Sequence, residues 1–480
     1  MSLCFPFWAF GGFCVAAAAL LVSALGQGVV PHNSTVVVPE GKHYAVFHDI
    51  LLQEQGVVFY LPDELADGPV DGLHQPPDLK ELLTWQGWWP NPERWKVDII
   101  SRRNATQARA KCARWVEKPV LLYHGMPVDG NMYHFFTDNI MRVFATLDET
   151  GLLDVDSSIA RDHEPSSEEA NLIILQAHLP SWTAKFHELF DHLTPDQWSF
   201  PHGAGTCYRT LIFGTNTAPA CYALSTDQAA QDERTHIQLR FRRWAMAKQL
   251  HIDDRDGRDI QHPPASNGRL QIRLISRGRN DFGSRAILNE DEIVKAIQQR
   301  YADTVDVNII KFNGSLSTAM LAMNATDLLI GVHGAGMTNI LWLPPGSSVI
   351  QLMPYGWRDQ HMREHDPSPA SILFQQLSAN ANASYFLWEN VRPEHAFLGK
   401  AQHEDQAKHL SVEERRAMHE WKLHPDAHWA TDLRQYRPGA EGGHGEMYWH
   451  WKAQDTYVDL VTFMPLVDQA LTAVRLAKQA

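Results

Sequence analysis

The chain has 480 residues, 44% hydrophobic and 20% charged, which indicates a globular protein of more than one domain and excludes fibrous and disordered classes. A formal net charge of −14 excludes a nucleic-acid partner, because phosphate backbones are held by basic surfaces. The 25 histidines are scattered and the five cysteines lack metal-type spacing, so no metal centre is expected.

The first element is a run without charge from Leu3 to Leu25. Roughly 20 apolar residues span a bilayer as a helix. Residues 1–26 are therefore expected to be a signal anchor, which would bring the chain to a membrane, or a signal peptide cleaved after Gly26. Acceptor patterns at Asn33, Asn104 and Asn382 are expected to carry N-glycans, whereas Asn313 and Asn324 fall in segments that look structural. With Cys4 and Cys14 inside the targeting run, Cys112, Cys207 and Cys221 should supply one disulfide and one free thiol in an oxidising compartment.

Residues 27–117 carry Pro62, Pro69, Pro76, Pro77, Pro90 and Pro92 and a cluster of Trp85, Trp88 and Trp89, and read as an irregular stem. Residues 118–252 then alternate. Strands are expected at 120–123, 171–175 and 210–213, with helices at 131–147, 183–193 and 234–250. A polar linker covers 253–268. Residues 268–400 alternate more plainly. Strands at 270–276, 305–312, 327–332 and 348–352 are separated by helices at 290–301 and 316–324 and a short one ending at Leu343. Asn289 stands where an N-cap belongs, and residues 401–480 form an extension with a closing helix. Strand–helix alternation implies parallel sheets covered on both faces, so the expected fold class is α/β with two Rossmann-like domains facing a cleft.

Three stretches carry candidate chemistry. In the first, an apolar strand ending at Val332 runs into His333, Gly334, Ala335 and Gly336 and then into a helix. Small residues let backbone N–H groups approach a diphosphate, and the carboxyl end of a parallel strand is where ligands bind. In the second, a helix places Phe136, Ile140, Val143, Phe144 and Leu147 on one face and Asn131, His134, Asp138 and Arg142 on the other. His134 and Asp138 stand one turn apart as a general-base pair; a solvated polar face with a capping Asn131 is the plainer reading. In the third, Arg277 ends the strand at 270–276, placed to pair with pyrophosphate.

Together these stretches resemble glycosyltransferase family 61. The matching pieces are Gly130–His134 with Asp138, Ile275–Arg277 with Leu288–Glu290, and Ile330–Gly336 with Leu343–Gly346. The resemblance implies a GT-B fold and an inverting, metal-independent enzyme without a cofactor. It would move a sugar, GlcNAc first, from a UDP-sugar to a glycoprotein or glycan hydroxyl in the Golgi, as a type II membrane protein, or in the ER/Golgi lumen. It also implies that Arg277, His333, Gly334, Ala335, Gly336, Gln351 and Asn131 hold the donor and that Asp138, preferred to His134, is the base. Gln351 stands where similar chains carry glutamate. A UDP-pentose transferase acting on a matrix polysaccharide such as xylan and a non-catalytic glycan-binding relative are the alternatives.

Overall fold

The structure, a computed structural model, describes residues 35–37, 44–53, 56–61, 96–101, 114–122, 131–153, 173–176, 189, 196–199, 206–216, 227–250, 268–277, 285–312, 315–354, 372–392, 395–398 and 454–479. They form a mixed α/β protein built on two main sheets.

The first sheet contains β1 (Thr35–Val37), β2 (Tyr44–Gln53), β3 (Gly56–Leu61), β4 (Lys96–Ser101), β5 (Arg114–Val116), β6 (Val120–Leu122), β7 (Ile173–Gln176), β8 (Asp196–Ser199) and β9 (Thr206–Gly214). The strand order is β4-β3-β2-β9-β6-β7-β8, with β1 on β2 and β5 on β9. Strands β9, β6, β7 and β8 are mutually parallel, whereas β2 runs antiparallel to β9 along most of its length. Two expectations are corrected here: this sheet is mixed, and the segment read as an irregular stem supplies five of its strands. The physical reason lies in the order of the residues. The run from Tyr44 to Leu61 contains no proline, with Pro39 before it and Pro62 after it, and it is rich in the aromatic and branched residues that suit a strand. Tyr44 is buried, Val46 packs against the core, and His48 Nδ1 lies 3.2 Å from Thr210 Oγ1.

The second sheet contains β10 (Leu270–Ile275), β11 (Val305–Ile310), β12 (Leu328–Val332), β13 (Ser348–Met353) and β14 (Ser384–Glu389). Its order is β11-β10-β12-β13-β14 and every pairing is parallel, as expected. Alternate side chains serve opposite faces. Leu329 and Val349 face one core, and Leu328, Ile330, Ile350 and Leu352 face another. Helix α3 (Glu290–Tyr301) and α6 (Leu460–Gln479) cover the latter face, with Ile293, Ile297, Phe463, Val467 and Leu471 buried there. Helix α6 is long and apolar enough to cross a membrane by length and composition. Here one of its faces lies in the core, Ser348 Oγ donates to Ala470 O at 3.0 Å, and Lys478 Nζ reaches Asp327 at 2.7 Å. Asn289 precedes α3 as expected, but its side chain makes no cap. Its amide donates to Val458 O and accepts from Val458 N–H, both at 2.9 Å, tying the C-terminal segment to the sheet.

The other face packs against both halves of the chain. A helical run joins Met132–His134, a π-helical segment Phe135–Ile140 and Met141–Glu149, together called α1. It meets α2 (Gln228–Leu250), α4 (Leu316–Asn324), the 3₁₀ helix Ala335–Trp342 and α5 (Ile372–Asn380) in one buried cluster. Trp342 sits at the junction, its ring edge-on to Phe136 at 5.4 Å and tilted against Phe241 at 5.9 Å. Arg242 of α2 donates to Asn324 Oδ1 at 2.5 Å and to Trp342 O at 3.4 Å. Asn324 is thus buried and engaged, in keeping with its omission as a glycan acceptor. Replacing Trp342 with alanine is expected to cost ~3–5 kcal/mol, since a fully buried aromatic side chain is removed. A urea midpoint shift equivalent to less than about 1 kcal/mol would contradict this packing.

The expected linker at 253–268, apart from Gly268, and the Trp cluster lie outside the described residues, as do the run at 1–26, Asn33 and Asn104. The expected helix at 183–193 does too, apart from Leu189. Asn382 is exposed, in a turn before β14 with φ 55°. Cys207 is disulfide-bonded to a cysteine outside the described residues.

Candidate functional site

The carboxyl ends of β10 and β12 lie side by side because their strands pair directly. Strand β12 is buried throughout and ends in the turn His333–Gly336. Gly331 has no room for a side chain, since a Cβ there would stand 2.6 Å from Met337 Sδ. Gly334 is more constrained. Its φ of 149° disfavours L side chains, and a Cβ would overlap the Nη1 atoms of both Arg277 and Arg285. At Gly336 a Cβ would make ordinary contact with Ile275 at 3.6 Å. Gly334→Ala is therefore expected to displace the guanidiniums and to weaken any diphosphate probe held between them at least 10-fold, a change of about 1.4 kcal/mol. Gly336→Ala should retain affinity, and equal effects of the two in a titration would contradict the geometry.

Two arginines converge on this turn. Arg285 Nη1 donates to His333 O at 2.7 Å. Arg277 Nη1 is shut off from solvent and has no hydrogen-bond partner among the described residues. Burial pushes the Arg277 guanidinium below its ordinary range, as expected for a cation without a counter-charge. An anion between the two arginines would supply that charge. Arg285 was not among the residues expected from sequence; it is held by a segment paired with the C-terminal extension. Asp455 Oδ1 accepts from Ala286 N–H at 2.7 Å, and Leu288 N–H donates to Thr456 O at 2.9 Å.

His333 is buried, with its N–H donating to Leu352 O at 2.9 Å. Behind it lies Gln351, fully buried, whose Nε2 is 2.9 Å from His333 Nδ1 and whose Oε1 accepts from Tyr385 OH at 2.8 Å. The structure therefore places Gln351 in contact with the histidine rather than on the open side of the turn, where a donor contact was expected. Both ends of its amide are already engaged.

The second cluster lies on α1. Asn131 Oδ1 accepts from Tyr133 N–H at 3.1 Å, so this residue caps the helix. The capping reading holds. The core stripe Phe136, Ile140, Val143, Phe144 and Leu147 is fully buried. The polar stripe is assembled as well: His134 Nδ1 lies 2.6 Å from Asp138 Oδ2, and Arg142 Nη2 donates to Asp138 Oδ1 at 3.4 Å. The π segment shifts the backbone pairing here, and Asn139 Nδ2 satisfies His134 O at 2.9 Å. Such bulges recur at functional sites. Asp138 is 4% exposed against 23% for the His134 side chain. The carboxylate preferred from sequence is thus the inner member of the pair, and the imidazole is the outer one.

A chain of rings links the clusters. His333 packs edge-on against Phe374 at 5.3 Å, Phe374 against Tyr133 at 5.5 Å, and Tyr133 against His134 at 5.5 Å. The turn from the second sheet and the acid–histidine pair from the first half are therefore joined through packed rings.

Comparison with known proteins matches residues 132–350, which include His134, Asp138, Arg277, Arg285 and His333–Gly336, to the family described as Glycosyltransferase 61. The chain is 24% identical over 323 residues to a β-1,2-xylosyltransferase of Oryza sativa subsp. japonica, covering 63% of each chain. It is 24% identical over 289 residues to an α-1,3-arabinosyltransferase of the same organism, covering 58% of this chain and 44% of that one. With a protein O-linked-mannose β-1,4-N-acetylglucosaminyltransferase of Canis lupus familiaris it shares 25% over 309 residues, 61% of this chain and 46% of that one. The chain thus spans less than two thirds of the length of these relatives. The matched region, which carries His134, Asp138, Arg277 and the His333–Gly336 turn, is similar to glycosyltransferase family 61.

Proposed function

We propose that the protein transfers a sugar from a UDP-sugar to a glycan or glycoprotein hydroxyl, with inversion and without a metal, across the cleft of a GT-B arrangement. The observation that carries this reading is the unpartnered Arg277 Nη1 beside Arg285 and Gly334, across a ring chain from a His–Asp pair. A diphosphate seated at His333–Gly336 would neutralise the guanidiniums, and their charge would stabilise the departing nucleotide.

Because the Asp138 carboxylate only accepts, His134 Nδ1 donates to it and His134 Nε2 keeps a lone pair. His134 is therefore the base in this reading, and Asp138 orients it and balances the imidazolium. This reverses the order of preference drawn from sequence. The acceptor hydroxyl passes its proton to His134 Nε2 as its oxygen bonds to the anomeric carbon. On the opposite face the bond from that carbon to the diphosphate breaks, and the electron pair leaves with UDP.

The relatives named above act on pentoses or on N-acetylglucosamine, so the donors are separate arms of the test. Full-length protein in EDTA would be given UDP-GlcNAc, UDP-xylose or UDP-arabinofuranose with an O-mannosyl peptide or xylan oligosaccharides. The expected result is release of UDP with one donor, coupled to a new glycosidic product. No release above a His134→Ala control with any combination would contradict the reading. The uncharged run at 3–25 and the disulfide at Cys207 support a Golgi type II or lumenal setting, with Asn382 as an exposed glycan acceptor.

A further inference from the structure

The amide of Gln351 decides which nitrogen of His333 carries the proton. Gln351 Oε1 accepts from Tyr385 OH at 2.8 Å, and in this arrangement the amide NH₂ is turned towards the imidazole. That NH₂ can only donate, and it lies 2.9 Å from His333 Nδ1. Protonating Nδ1 would set two N–H donors against each other in a fully buried contact. We propose that Tyr385 and Gln351 are positioning residues that hold His333 as a neutral imidazole with its proton on Nε2. His333 then contributes a hydrogen-bond donor to the anion site, and the positive charge there belongs to the arginines.

The surroundings agree. Among the described residues, the guanidiniums of Arg277, at the end of β10, and of Arg285, in the segment before α3, are charged groups that face the turn carrying His333. Both disfavour a further positive charge beside them. From β14 the titratable group is Tyr385, acting through the amide. Helix α5 presents the apolar ring of Phe374. A neutral Nε2–H keeps its donor function as pH crosses the range of about 5 to 8 in which free histidine changes charge.

The tautomer does not depend on the donor-site reading, whereas its effect on binding does. Nitrogen NMR of the full chain with labelled histidine, assigned by the signal lost in His333→Asn, should show His333 Nδ1 unprotonated. A protonated Nδ1 in the unaltered protein would overturn the proposal. The second measurement is the affinity for uridine diphosphate of Gln351→Glu relative to the unaltered protein, compared at the same pH so that the ligand's own ionisation cancels. A carboxylate at position 351 accepts from Nδ1–H and favours the imidazolium, so this ratio should rise several-fold as pH falls from about 8 to 5.5. A purely structural role would lower affinity by one factor at every pH, and a constant ratio would count against the proposal. Tyr385→Phe removes the group that orients the amide and should leave His333 with both tautomers in the same spectra. Absence of uridine diphosphate binding in every form would sink the donor-site reading while leaving the spectrum to decide the tautomer.

Discussion

Replacing His134 with alanine, or Asp138 with asparagine, should lower sugar transfer ~10²- to 10⁴-fold, the usual contribution of a positioned general base. The two act as one unit because His134 Nδ1 and Asp138 Oδ2 are 2.6 Å apart and the carboxylate is nearly inaccessible. Asparagine keeps the shape of Asp138 but removes the charge that balances the imidazolium. It also offers an amide that can hold the wrong tautomer. The double variant should therefore be little worse than His134→Ala alone, since residues that share one step are not additive. Uridine diphosphate binding should be unchanged in all three, because the diphosphate turn belongs to the second sheet. Independent, multiplying losses, or equal losses in binding, would place the pair outside the chemical step.

Arg277 should show the opposite pattern, with a large effect on binding and a small gain in fold stability. Its Nη1 is buried without a partner among the described residues, a cost that a methionine in its place would not incur. Arg277→Met should leave the ligand-free protein as stable as before, or more stable by about 1 kcal/mol. The same change should weaken uridine diphosphate about 10- to 100-fold, as hydrogen bonds to charged groups contribute ~1.5–3 kcal/mol. Proteins often hold such destabilising groups at functional sites. Paired measurements of urea midpoint and nucleotide affinity would test this. A destabilised fold with normal affinity would show that Arg277 serves the structure instead.

Much of the second sheet is legible in the chain because its strands are buried on both faces. Leu328–Val332 reads as a continuous apolar run and Ser348–Met353 as one interrupted only by Gln351 after its first residue, with a helix between them. Strand β14 and α5 were missed, although Phe374 of α5 and Tyr385 of β14 complete the surroundings of His333. The polar stripe of α1 is legible from its spacing alone, whereas the π segment within it is not, since one shifted turn leaves that spacing nearly intact. Strands β1 to β5 are not legible in the chain because the proline-rich stretch from Pro62 to Pro92, between β3 and β4, masks their pattern. The partner that pairs with β2 is β9, more than 150 residues further along the chain by the paired positions Tyr44 and Gly214. Arg285 gave no periodic signal, and its place is set by Asp455 from the far end of the chain. For Gln351 the position in a strand was legible, but not that its amide turns towards His333 and Tyr385.

The central claim is that the turn at His333–Gly336 with Arg277 and Arg285 is a nucleoside diphosphate site. Calorimetric titration of the full chain with uridine diphosphate in EDTA tests it most directly. The account predicts saturable one-to-one binding that Arg277→Met weakens and His134→Ala does not. No heat of binding with the unaltered chain, or binding that Arg277→Met leaves intact, would contradict it.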